Sequence, residues 1–190
     1  MISFKGKYLS KSNDLKIFIN EEFIGQKNLL TITGKVSVNI SNNSNFYVKE
    51  LIFLTFSNAY NNINSHTMQL KSFDIYNLIH ELSVLYKTKK SDYIKFTDSS
   101  KSNNTEGEEK KFLSLKFEPN NKKYFINLNI NMNKVFKPVA EINFEEYEVN
   151  GVIKILEAFI SEYKTSYYKL QRAYEKINNK RKKEEENKWK

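Results

Sequence analysis

The sequence predicts an α+β fold in which four strands followed by a helix occur twice. Three observations carry that expectation. Residues 124–132 place Tyr124, Ile126, Leu128, Ile130 and Met132 on alternate positions, against Phe125, Asn127, Asn129 and Asn131. Strand side chains point alternately to opposite faces, so this pattern is a half-buried strand. Two other segments, one near residue 75 and one after residue 145, carry apolar residues three and four apart, the signature of a helix with one buried face. Alternating segments come in two runs, each closed by one of these helical stretches.

The elements follow in order. Residues 5–10 form a short strand. Residues 14–23 alternate Leu15, Ile17 and Ile19 against Lys16, Phe18 and Asn20, and Gly25 marks a turn. Residues 29–40 alternate on both sides of Gly34, which is expected to mark a bulge or bend. After an Asn/Ser loop, residues 48–57 set Ile52, Leu54 and Phe56 opposite Lys49, Phe53 and Thr55. A polar loop to Gln69 leads to a helix over 72–86, with Ser72 as N-cap, Asp74 in the first turn, and Ile75, Leu78, Ile79, Leu82, Leu85 and Tyr86 on one face.

The second run begins with a strand over 92–97 and a hydrophilic loop over 98–110. Strands over 111–118, 123–132 and 135–142 follow, with Pro138 pointing to an edge or a bulge in the last. Asn143 and Glu146 make a capping-box pattern at the start of the second helix. Along that helix Leu156, Ile160, Tyr163, Tyr167, Leu170, Tyr174 and Ile177 recur at 4-3 spacing, a heptad seam. At ~1.5 Å per residue it runs about 58 Å over 145–183. Such a helix is expected to leave the body of one small domain or to pack on another chain, so Leu156, Ile160, Tyr163, Tyr167, Leu170 and Tyr174 are the expected oligomer interface. The repeats span about 1–88 and 89–165, one domain over 1–165, with 166–190 as a helical extension and charged tail.

Composition narrows the function classes. The chain has 190 residues, no cysteine and two histidines. Disulfides, Cys-ligated zinc and cysteine nucleophiles are excluded, and an intracellular setting is favoured. His66 and His80 lack a second ligand at zinc spacing, and five glycines leave no Gly-rich phosphate loop. Glu141, Glu145, Glu146 and Glu148 fit negative charge at a helix N-terminus better than an acid/base cluster. The expectation is a non-enzyme with no catalytic residue, metal, cofactor or small-molecule substrate. No apolar run is long enough to span a bilayer and no signal or transit pattern is visible, so no membrane partner is expected, and the cytoplasm or nucleoid is the expected setting, with organelle and nucleus left open. Net charge is +9, of which residues 169–190, with nine basic and four acidic residues, hold +5. A positive balance suits an anionic partner.

Several stretches together are similar to one family. KFLSLKFEPN at 111–120 followed by KYFINLNI at 123–130 resembles a strand pair of the Whirly family of single-stranded DNA-binding proteins. FKGKYLS at 4–10 resembles that family's Lys-Gly-Lys strand, IFLTFS at 52–57 its strand ending in LTFW, and KSFDIYNLI at 71–79 the start of its first helix. The order agrees over roughly residues 4–165. Ser57 stands where the family has Trp, and the heptad tail lies outside the resemblance.

The resemblance implies two antiparallel four-stranded sheets, helices gathered into a homotetramer core, and single-stranded DNA lying along sheet surfaces. Single strands need a basic groove and aromatic faces for stacking. The expected ligand residues are Lys5, Lys7, Tyr8, Lys16, Phe18, Lys35, Lys49, Phe53, Thr55, Phe112, Ser114, Lys116, Phe125, Asn127 and Asn129. Lysines would neutralise phosphates, phenylalanines would stack, and Asn and Ser would bond bases and sugars. The expected role is largely sequence-independent protection or organisation of single strands in replication, repair or transcription. Two alternatives stay open. RNA is one, since guide-RNA-binding proteins share the double ββββα architecture. The other is an oligomeric adaptor that recruits a protein through the second helix. An alternating Lys/Phe strand also fits an ordinary wet sheet face, and an AT-rich coding sequence also yields many Asn residues.

Overall fold

The computed structural model describes residues 3–9, 17–24, 28–40, 46–58, 65–90, 96–97, 110–132 and 135–188. The strands are β1 (Ser3–Leu9), β2 (Ile17–Ile24), β3 (Asn28–Ile40), β4 (Phe46–Asn58), β5 (His66–Leu70), β6 (Phe96–Thr97), β7 (Lys110–Glu118), β8 (Lys123–Met132) and β9 (Val135–Glu145). The helices are α1 (Ser72–Thr88), which follows β5, and α2 (Glu146–Lys188), which follows β9. Strands β1 to β5 form one antiparallel sheet in sequence order, and β6 to β9 form a second. The α+β class, the two antiparallel sheets and the long second helix are as expected from the sequence.

The first sheet holds a fifth strand where a polar loop was expected. Met68 and Leu70 of β5 are buried and pair with Leu54 and Ile52 of β4. Two apolar residues in a five-residue strand are too few to show a period against the polar residues before them. Gly34 is not a bulge: β3 and β4 stay in register through Gly34↔Ile52. The register shifts lie elsewhere. One is in β1 between Lys5 and Tyr8, and one is between β8 and β9, where Asn129 faces Pro138. Pro138 thus lies on an edge strand and at an irregularity, where its missing N–H is least costly.

Core residues follow the period of two. Leu30, Ile32 and Val36 of β3, Ile52, Leu54 and Phe56 of β4, and Leu113, Leu115, Phe117, Tyr124, Ile126 and Leu128 of β7 and β8 are buried on inner faces. They close one core with the apolar faces of α1 and α2. The sheets also touch directly: Asn28 Nδ2 donates to the Glu141 carbonyl at 2.6 Å, and Lys111 Nζ to the Thr67 carbonyl at 3.1 Å.

Both helix starts differ from expectation. The N-cap of α1 is Lys71, whose N–H donates to Asp74 Oδ2 at 2.7 Å. Ser72 is one residue inside the helix, and its hydroxyl donates instead to Glu50 Oε2 at 2.6 Å. Asn143 lies within β9, opposite Phe125, and does not cap α2. The Glu145 N–H donates to Glu148 Oε2 at 2.9 Å there. A strand that runs straight into a helix leaves the capping to the first turn of the helix.

Helix α2 spans 43 residues, about 64 Å at ~1.5 Å per residue. The β3–β4 hairpin takes up the helix as far as Asn178 and Arg181, and residues 179–187 are exposed, so the part expected to leave the body is its C-terminal end. Each of those strands has 13 residues, about 43 Å at ~3.3 Å per residue, and gives a track to about two-thirds of the helix. Leu156, Ile160 and Tyr163 of the heptad seam are fully buried in the chain's own core. Tyr167 and Leu170 are half-buried against it. Tyr174 meets the Phe46 ring at 5.2 Å. The Asn178 amide clamps the Phe46 backbone, accepting its N–H at 3.0 Å and donating to its carbonyl at 2.7 Å. The Arg181 guanidinium lies 4.7 Å from the Phe46 ring centroid. Seven residues at heptad spacing thus identify a packing face, but its partner through Tyr174 is intramolecular.

Candidate nucleic-acid interface

Odd-numbered residues of β3 and β4 turn away from the core, and the register groups the expected ligand residues on that outer face. Tyr8 of β1 is opposite Phe18 of β2, which is opposite Lys35 of β3. A second row runs Lys5, Asn20, Thr33, Phe53 and Gln69 across all five strands. Thr31, Thr55 and Thr67 form a third, in which the Thr55 and Thr67 hydroxyls share a hydrogen bond of 3.0 Å. Lys49 lies opposite Ser37 further along the hairpin and is exposed, and Tyr47, opposite Asn39, is exposed as well. Phe53 is half-buried. Lys7 lies within the β1 irregularity, and Lys16 falls outside the described residues. The sequence reading did not single out Tyr47. Its odd position on β4, in parity with Lys49 and Phe53, is the signal that finds it.

The second sheet is different. Register again sets Phe112, Ser114 and Lys116 of β7 opposite Asn129, Asn127 and Phe125 of β8, so all six share the outer face. The expected exposure is not observed for four of them. Phe112, Ser114, Phe125 and Asn129 are 7%, 2%, 9% and 8% exposed, outside the main core cluster. Asn129 Nδ2 donates to Ser114 Oγ at 2.9 Å, so two amide-and-hydroxyl partners satisfy one another. Lys116 is exposed, is ion-paired with Glu118, and stands 5.8 Å from the Phe125 ring centroid. The Lys116 ammonium, with help from the Asn121 amide, holds the Glu118 carboxyl below its ordinary range. Asn127 Oδ1 is buried without a hydrogen-bond partner. An unpaired buried acceptor is costly and marks a place where a donor is missing.

Beneath the first sheet lies a support built from distant residues. Tyr163 Oη accepts the Leu51 N–H at 3.0 Å and donates to the Lys35 carbonyl at 3.1 Å. Lys35 and Leu51 face one another across β3 and β4, so the hydroxyl is wedged into the ladder behind two outer-face positions. Burial pushes this hydroxyl far above its ordinary value of 10.0, and the Leu51 N–H draws it part of the way back. Gly34 makes room for the ring, since a Cβ there would lie 2.4 Å from Tyr163 Cδ2 and 3.1 Å from Phe159 Cζ. On the same side Glu50 receives the Ser72 hydroxyl and pairs with Lys164, tying β4 to both helices. Lys164 Nζ also lies 5.2 Å from the ring centroids of both Tyr167 and Tyr168.

No cluster of His, Asp or Glu suited to a metal occurs among the described residues. No helix among them is long and apolar enough to cross a membrane.

No family profile and no curated protein matches the chain. Solved structures do. WHY1 from Arabidopsis thaliana is 17% identical, with a TM-score of 0.50 over 75% of this chain and 83% of that one. WHY3 from Arabidopsis thaliana is 18% identical, with a TM-score of 0.53 over 75% and 86%. The plant transcriptional regulator PBF-2 is 15% identical, with a TM-score of 0.51 over 80% and 87%. The similarity expected from the sequence is therefore present in three dimensions: the chain shares its fold with Whirly structures.

Proposed function

We propose that this chain is a non-enzymatic, largely sequence-independent single-stranded DNA-binding protein, and that strands lie along the outer face of the first sheet. One observation carries the reading. Register gathers Lys5, Tyr8, Phe18, Lys35, Lys49, Phe53 and Thr55, scattered over four strands, onto one face turned from the core. Lysine for phosphate and aromatic rings for stacking are what a single strand requires. The fold shared with a plant transcriptional regulator supports the same reading. On the second sheet, Lys116 adds an exposed cation to the face that also carries Phe112, Ser114, Phe125, Asn127 and Asn129.

Self-assembly belongs to this proposal, with its contact moved. The seam faces the chain's own hairpin, whereas Phe73 and Tyr76 of α1 and Tyr168 of α2 are 69%, 47% and 50% exposed. A homo-oligomer closed through these rings loses its assembly on Phe73→Ser with Tyr168→Ser, read by light scattering. A monomeric native chain contradicts it.

Fluorescence anisotropy tests the binding itself, with a labelled single-stranded DNA, the matched RNA and the duplex at about 50 and 200 mM salt. Tightest binding to single-stranded DNA is expected, weakened by about 1–3 kcal/mol on Phe53→Ala, the value of one stacked base. Equal or better RNA binding moves the assignment to RNA, and indifference to Phe53→Ala overturns the stacking surface.

A further inference from the structure

The C-terminal half of α2 has a second face that the hairpin does not use. Lys169, Arg172, Lys176, Lys180 and Lys183 are spaced 3, 4, 4 and 3 residues apart, and all five are exposed. At about 100° per residue, which follows from ~3.6 residues per turn, they fall within an arc of roughly 80°. The residues that grip the hairpin, Tyr167, Leu170, Tyr174 and Asn178, lie on the opposite side of the helix. The five cations therefore line a straight stripe about 21 Å long, at ~1.5 Å per residue, pointing into solvent. Among the described residues the ion pair within it, Lys180 with Glu184 at 3.8 Å, is long and exposed.

We infer that this stripe is a second nucleic-acid contact, a track for phosphates that does not distinguish single from double strands. The inference rests on the proposed function, and it adds a site where the sheets have none. Its chemistry follows from what the stripe lacks. A basic helix that lies on a membrane keeps an apolar face free to insert, and a helix that fills a partner's groove keeps one free to bury. Here the apolar face is occupied by β4, as the Asn178 clamp on Phe46 shows, and the exposed Tyr168 and Ile177, nine residues apart, lie on opposite flanks of the stripe and form no single apolar face. Charge without aromatic rings binds a polyanion by counterion release and reads neither base nor strandedness. Clamping at Phe46 fixes the stripe on the side of α2 turned from the hairpin, whereas Tyr47 and Lys49 lie on the hairpin's other face, so the stripe is a contact separate from the sheet surface.

The test uses the full chain with Lys169, Arg172, Lys176, Lys180 and Lys183 all changed to Gln, its fold checked by circular dichroism and thermal melting. Anisotropy is measured on single-stranded DNA, on duplex DNA and on a duplex with a single-stranded tail, across about 50–200 mM salt. The inference expects duplex affinity to fall by at least tenfold at the low salt, and the slope of log K against log salt to flatten by about four to five, as for five lost phosphate contacts at ~0.9 each. Single-strand binding persists in the same variant, with its sensitivity to Phe53→Ala unchanged. Duplex binding and slope equal to wild type overturn the inference while leaving the sheet reading intact. Stripe-dependent duplex binding without any single-strand preference upholds the inference and defeats the sheet reading. Loss of binding to phosphatidylserine vesicles, with duplex binding unaltered, overturns it in favour of a membrane surface.

Discussion

Gly34 and Tyr163 form a lock whose two halves are far apart in sequence. A Cβ at Gly34 would sit 2.4 Å from Tyr163 Cδ2, and the rigid ring, stacked on Phe159, has nowhere to move. Gly34→Ala is expected to lose about 1–3 kcal/mol, the usual cost of overpacking, measured by urea unfolding; an unchanged midpoint contradicts the lock. Tyr163→Phe keeps the ring and strands the Leu51 N–H and the Lys35 carbonyl, at a cost of about 1–3 kcal/mol. The hydroxyl also sets a pH dependence. Its folded-state value is raised above 10.0, so its contribution is complete below about pH 10 and is lost as pH rises further. Wild type should therefore lose melting temperature above pH 10 more steeply than Tyr163→Phe, and parallel declines contradict this. At this scale the sequence was only half legible. The period of two placed Phe53 and Lys49 on the correct face, and nothing in it told a bend at Gly34 from a space for a ring 129 residues away.

Helix α2 and the β3–β4 hairpin act as one long element. The Asn178 amide satisfies both backbone groups of Phe46, and Arg181 and Tyr174 cover its ring. Asn178→Ala is expected to speed amide exchange at Phe46 strongly and to leave exchange at Ile52 and Leu54 unchanged, because those residues are buried near the centre of the sheet. Equal exchange at Phe46 in both proteins contradicts the clamp. Glu50 does the same for the helix pair, and Glu50→Gln is expected to cost about 1.5–3 kcal/mol by weakening charge-assisted bonds to Ser72 and Lys164. The heptad spacing from Leu156 to Tyr174 correctly announced an apolar face. Spacing says that a face is covered and not by what, which is why an intermolecular partner was expected. Phe112 and Phe125 pose the same limit on the second sheet: parity assigns them to the outer face and does not record that both are buried there.

The whole molecule combines an inner core shared by both sheets and both helices, an outer sheet face with lysine and aromatic residues in cross-strand rows, and a basic helical stripe. The order of elements was readable because each strand alternates and each helix has its own period. Five strands rather than four in the first sheet depended on β5, which was too short to show either. Overall charge pointed to an anion, and only the register showed that lysine and aromatic positions of separate strands share one face. The central claim is that a single strand lies across those rows. Photocrosslinking of a single-stranded DNA substituted with 5-iododeoxyuridine, followed by mass spectrometry of the attached peptides, tests it most directly. Crosslinks are predicted in β1, β2 and β4, at Tyr8, Phe18, Tyr47 and Phe53. Crosslinks confined to α2, or none on the outer face of the first sheet from a strand that binds, would contradict it.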